Sequence, residues 1–304
     1  MNEYSPYLRN LLKKASYLSI AVSVILIVCK SIAWNITGSV SMRATMMDSV
    51  LDAFASFVNW IAIQHALKPS DREHRFGHGK IEALAGIAQS VFICISALLI
   101  LKEAFEHFMH PKPIEGFGVG IGVMIFSIFL TLILVAYQNF VIKKTQSLAI
   151  AGDSLHYKSD ILINASVMCS FMFAGGSNAG MVDALIASGI AMYILVTAYK
   201  ILKASIDVLM DKEMDDSVRN LISKIALDHP QILHINSLKT RKSGPFIFIQ
   251  MDAYMDENLT LKEAHDIAHS VEENILNIFP EASITIHQEA TKHEHIPPLH
   301  LKNL

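Results

Sequence analysis

Cysteine is nearly absent from this chain. Cys29, Cys94 and Cys169 are the only three in 304 residues, none in CxxC spacing, which excludes a disulfide framework and a thiolate metal site and leaves apolar filler as their role. Charge is equally scarce at 17%, against 52% hydrophobic residues, a balance that excludes an ordinary soluble domain and places the chain in the membrane class. The net charge of −3 says little about partners, and no nucleic-acid partner is expected. No HExxH, GxSxG or Walker A pattern occurs, so an enzyme with a catalytic cofactor is not expected. Gly116, Gly118, Gly120 and Gly122 follow no strand, and close helix packing is the expected reason for them.

What is present is a series of long apolar runs, approximately 17–36, 42–66, 81–105, 117–141, 149–174 and 181–202. Each matches the ~20 residues a helix needs to cross ~30 Å of hydrocarbon. Arg9, Lys13 and Lys14 precede the first run, Lys68, Arg72, Arg75 and Lys80 follow the second, and Lys143 and Lys144 follow the fourth. This asymmetry predicts six spans with both termini cytoplasmic. Lys30 and Trp34 stand where a signal peptide would need small residues, so the first run is read as a retained helix.

Apolar character ends near Asp207, and the remainder reads as a small α+β domain. A helix over 217–227 stops at His229-Pro230, and strands over 232–242 and 246–255 flank Ser243-Gly244-Pro245. Thr260 and Glu263 have capping-box spacing and open a helix to Phe279, and 283–286 alternates as a last strand. The expected fold is therefore membrane α-helical: six transmembrane helices in 1–208, a cytoplasmic αββαβ, metallochaperone-like domain in 209–290 and a flexible His-containing tail in 291–304. A domain of this size would gain from dimerisation.

Ionisable residues inside the second and fifth runs carry the chemistry. Asp48 and Asp52, and His156 and Asp160, are each spaced i, i+4, which sets both members of a pair on one helix face. Carboxylates at membrane depth are costly and mark transport or relay sites. One imidazole and three carboxylates suit tetrahedral Zn²⁺, with Fe²⁺, Co²⁺, Mn²⁺ and Cd²⁺ also accommodated. Protons compete for the same ligands, and His156 is the expected proton-coupled group. Two other readings stay open, a membrane-bound metal sensor or scaffold that binds without transport, and a carboxyl that only bonds Ser49 or Ser159. Lys158 is expected to point away from the cluster rather than pair with Asp153 or Asp160.

Met47-Asp48-Ser49-Val50-Leu51-Asp52, His156-Tyr157-Lys158-Ser159-Asp160 and the loop Asp71-Arg72-Glu73-His74-Arg75-Phe76-Gly77-His78-Gly79-Lys80 together resemble the cation diffusion facilitator family, in its bacterial zinc and ferrous-iron efflux branch. The resemblance runs from the first span to about Ala290. It implies a homodimeric metal/proton antiporter of the bacterial inner membrane, with a transport site at Asp48, Asp52, His156 and Asp160. A second metal site is implied at Asp71, His74 and His78. It further implies a cytoplasmic-domain site at His265, His287, Glu289 and Asp252, with Asn236 in place of a histidine and His234 as a substitute. Lys80 and Asp211 match a charge pair that joins the two domains in relatives. The tail histidines His293, His295 and His300 are read as part of a disordered segment.

Overall fold

The computed structural model of the protein describes residues 6–37, 40–109, 119–172, 179–244 and 246–292. The tail from His293 on, Gly116, Gly118 and Pro245 lie outside them. The chain divides into two compact units, with the boundary between Ile206 and Asp207.

The first unit is built from helices α1 (Pro6–Thr37), α2 (Val40–Ala66), α3 (Lys80–Met109), α4 (Val119–Thr145), α5 (Leu148–Met172) and α6 (Ala179–Leu209), the last of which runs on past the boundary. Pro6 opens α1, where a missing N–H is harmless. Lys143 and Lys144 close α4 beside its C-terminal dipole. Gln146, at φ 53°, turns the chain out of α4. Ser147 then caps α5, its Oγ accepting from the Ile150 N–H at 3.2 Å.

Among the described residues, five of these helices are long and apolar enough to cross a membrane, and α5 is not one of them. Its sequence carries Asp153, His156, Lys158 and Asp160. Neighbouring helices enclose its first half: Ala149, Ile150, Asp153, Ser154, Leu155 and Tyr157 are all buried. A polar helix is tolerated at membrane depth where it faces protein rather than lipid. Glycine allows part of this enclosure. A Cβ on Gly152 would stand 2.9 Å from Gln89 Cβ of α3, and one on Gly86 would meet Ser205 Oγ of α6. At Gly122, a Cβ would meet nothing within 4 Å, so close packing is not seen at that one member of the glycine cluster.

The second unit contains α7 (Asp216–Leu227), β1 (His234–Ser243), β2 (Phe246–Asp256), α8 (Leu261–Ile278) and β3 (Ala282–Thr291), the expected αββαβ order. The sheet order is β1-β2-β3, with β2 antiparallel to β1 and parallel to β3. Alternate β2 residues Ile249, Met251, Ala253 and Met255 face the core with Ile222 and Ala226 of α7 and Ile267, Val271 and Ile275 of α8. The Thr260 capping box is formed, and its bond from Thr260 N–H holds the Glu263 carboxyl below its ordinary value. The third strand runs to Thr291, well beyond the alternating stretch 283–286, because parallel pairing with β2 continues through Asp256.

Candidate metal-binding sites

Helices α2 and α5 bring together Asp52, His156 and Asp160. Their ligand atoms all lie within 4.8 Å of one another. His156 Nε2 is 2.9 Å from Asp52 Oδ1 and 3.9 Å from Asp160 Oδ2, so one imidazole nitrogen faces both carboxylates. The ring is fixed edge-on against Phe92 at 5.7 Å and is itself buried. Asp48, the fourth expected ligand, is exposed one turn earlier on α2 and outside this cluster, though within electrostatic range of Asp160. Lys158 points away as expected, donating to Asn139 Oδ1 of α4 at 2.8 Å.

Two residues near the cluster carry polar contacts that spacing did not single out. Lys30 of α1 donates to Ser49 Oγ at 2.7 Å and to the Thr45 carbonyl at 3.2 Å. Asp153, fully buried, accepts from Ser19 Oγ, Ser56 Oγ and Gln138 Nε2. Both carry a formal charge inside an apolar run, and that was the available signal.

In the α2–α3 loop, Asp71, His74 and His78 form a second cluster within 4.8 Å. His74 Nδ1 lies 3.4 Å from Asp71 Oδ1 and His78 Nε2 3.3 Å from Oδ2. Asp71 Oδ1 also accepts the backbone N–H groups of Glu73 and His74, at 3.0 and 2.7 Å. The His74 bond, the strongest influence, leaves the Asp71 carboxyl below its ordinary value despite opposing desolvation. Gly77, at φ 80°, returns the loop so that His78 faces Asp71. A carboxylate with two imidazoles is a donor set fit for Zn²⁺.

In the second unit, strand register aligns Asn236, Asp252 and His287 across the sheet. His287 Nδ1 lies 3.6 Å from Asp252 Oδ1 and 3.3 Å from Glu289 Oε1, although these three do not all converge within 4.8 Å as the two clusters above do. His265 lies apart on the exposed side of α8, its ring stacked on His269 at 6.3 Å. His234 is buried against Tyr254, the rings 5.7 Å apart. Arg241 Nη1 donates to Asp211 Oδ1 at 3.2 Å, while Lys80 opens α3.

The family model for the cation efflux transmembrane domain matches residues 16–210, and that for the cation efflux protein cytoplasmic domain matches 214–291. The chain belongs to the cation diffusion facilitator family. Among curated relatives, the cation-efflux pump FieF of Yersinia enterocolitica is 41% identical over 288 residues, covering 94% of this chain and 95% of its own. FieF of Serratia proteamaculans is 39% identical, with 93% and 94% covered. Among solved structures, the Zn form of a putative zinc transporter, CzrB, matches 26% of this chain and 92% of that chain at 24% identity and a TM-score of 0.25. As a member of this family the protein is a multi-pass membrane protein, and the family is one of efflux proteins rather than enzymes.

Proposed function

We propose that this protein exports a divalent metal cation from the cytoplasm, with Zn²⁺ the foremost cargo and Fe²⁺, Cd²⁺, Mn²⁺ and Co²⁺ also accepted, in exchange for protons. The observation that carries the reading is the convergence of Asp52, His156 and Asp160 between α2 and the enclosed helix α5. The cation-efflux pumps that are about 40% identical over nearly the whole chain support it. Asp48, one turn along α2, completes the ligand set when the cation is bound. Metal needs deprotonated ligands, so a proton arriving at His156 or a carboxylate expels it, and alternating access makes the exchange vectorial.

The protein works as a homodimer in the bacterial inner membrane with both termini in the cytoplasm, a placement the basic loops favour. The match to a cytoplasmic domain of cation efflux proteins supports pairing through the second unit. There, Asp252, His287 and Glu289, with His265 and His234 in reserve, bind regulatory metal, and the Asp71-His74-His78 loop holds a further ion. The test is Zn²⁺ flux, with Fe²⁺ and Mn²⁺ in parallel, into proteoliposomes under an imposed pH gradient. Gradient-dependent flux lost in Asp160→Ala is the expected result. Binding without flux in the wild type would replace export with a sensor or scaffold role.

A further inference from the structure

Asp153 takes no part in the ligand cluster, yet it is fully buried and accepts three side-chain hydrogen bonds. Its Oδ2 accepts from Ser19 Oγ of α1 at 2.6 Å and from Gln138 Nε2 of α4 at 2.7 Å, and its Oδ1 accepts from Ser56 Oγ of α2 at 3.1 Å. The donors are themselves joined. Gln138 Nε2 also donates to Ser19 Oγ at 3.0 Å, and the Tyr157 hydroxyl lies 2.9 Å from Ser56 Oγ and donates to the Ser19 carbonyl at 3.2 Å. Four helices thus meet on one buried carboxyl group, which accepts three hydrogen bonds.

Its place relative to the cluster gives this knot its meaning. Ser56 follows Asp52 by one turn on α2, and Asp153 precedes His156 by about one turn on α5. The Ser56–Asp153 and Asp52–His156 contacts are therefore successive rungs between the same two helices, at 3.1 and 2.9 Å. A slide or rotation of α5 that moves His156 off Asp52 must also break the lower rung. We propose that Asp153 is a positioning residue: its Ser56 rung fixes the register of α5 against α2 and so holds His156 in line with Asp52 for the cation. This rests on the export reading, because it assigns the cation to that cluster.

The test compares wild type, Asp153→Asn, Ser56→Ala, Ser19→Ala and the exchange variant Asp153→Asn/Gln138→Glu. Zn²⁺ flux is measured against Zn²⁺ concentration in proteoliposomes. Calorimetric Zn²⁺ Kd of the full chain in detergent is measured in an Asp71→Ala/His287→Ala background. Outer partners of metal ligands typically change affinity about tenfold or more. Asp153→Asn should raise KM and Kd by about that factor, with a smaller change in maximal flux. Ser56→Ala, which cuts the α2 rung alone, should move KM in the same direction, and Ser19→Ala much less. The exchange variant restores a carboxylate-amide pair and should recover part of the loss. Wild-type KM and Kd in Asp153→Asn overturn the proposal. If that variant does not fold, equal KM values for the two serine variants overturn it instead. Wild-type binding without flux refutes export alone, and Kd then still decides the role of Asp153.

Discussion

Lys158 and Asn139 pair across α5 and α4, Nζ to Oδ1 at 2.8 Å, and this pairing keeps a lysine out of a cluster only two residues away on either side. His156 and Asp160 flank Lys158 in sequence but lie on a different face of α5, since residues two apart on a helix point some 200° from each other. The ammonium is answered by a neutral amide of a neighbouring helix, and the carboxylates of the cluster are left for a cation. Spacing thus separates the charges that would otherwise cancel.

In the proposed transport site, His156 is the single nitrogen donor. His156 Nε2 faces both Asp52 and Asp160, and imidazole favours Zn²⁺ where an all-oxygen set favours harder ions. His156→Asp should lower the ratio of Zn²⁺ to Mn²⁺ flux on the order of tenfold. Parallel proteoliposome assays with each metal read this ratio directly, and an unchanged ratio would move selectivity elsewhere.

The enclosure of α5 depends on close approach at Gly152, where a Cβ would lie 2.9 Å from Gln89 Cβ. Gln89 is also tied to α2 through its bond to the Ala55 carbonyl at 3.2 Å, so it has little room to yield. Gly152→Ala should cost about 1–3 kcal/mol, as overpacking typically does. Thermal unfolding in detergent should show a lower Tm than wild type. Gly189→Ala, where a Cβ meets nothing within 4 Å, is the control expected to leave Tm in place.

The fold and much of the candidate site were legible because they follow from local patterns. Apolar run lengths give the helices, alternation and the Thr260–Glu263 spacing give the second unit, and i, i+4 pairs give His156 with Asp160. What was not legible depends on which helices become neighbours. Asp153 enters the sequence reading only as a partner that Lys158 is expected to avoid, and its actual partners lie 134, 97 and 15 residues away, distances no helical period encodes. The same holds for glycine. Gly86 and Gly152 are the tight positions, whereas the regular glycine spacing near Gly122 marks no close approach there. In the second unit, the family resemblance set His265 and His287 as candidates together, but only three-dimensional placement separates α8 from the strand that carries His287.

Asp71 holds the loop and faces the imidazoles with different oxygens. Oδ1 accepts the backbone N–H groups of Glu73 and His74, and Oδ2 faces His78 at 3.3 Å. Asp71→Asn retains an acceptor for the turn but removes the charge and one ligand oxygen, whereas Asp71→Ala removes both. Both variants should lose about one equivalent of bound Zn²⁺ per chain, and only Asp71→Ala should also loosen the turn. Elemental analysis after gel filtration gives the first readout and hydrogen exchange across the loop the second. The wild-type carboxyl is already held below its ordinary value by its backbone bond from His74.

His234 makes the second unit sensitive to acid. Burial beside Tyr254 pushes its imidazole below the ordinary value of 6.5. As pH falls below 6.5, the unfolded chain takes up a proton that the folded chain still resists, so the unfolded state is favoured; the loss continues until the folded imidazole is protonated too. Stability from this group is therefore full above 6.5 and declines on acidification, the reverse of a histidine that gains an anionic partner. His234→Leu removes the proton uptake while keeping an apolar side chain against Tyr254, and should flatten this part of the pH profile. Pulse proteolysis of the full chain in urea, with cleavage followed inside Asp216–Thr291, measures both slopes. Equal slopes in wild type and variant would assign the acid sensitivity to another group, and a shallower slope in the variant would assign it to His234.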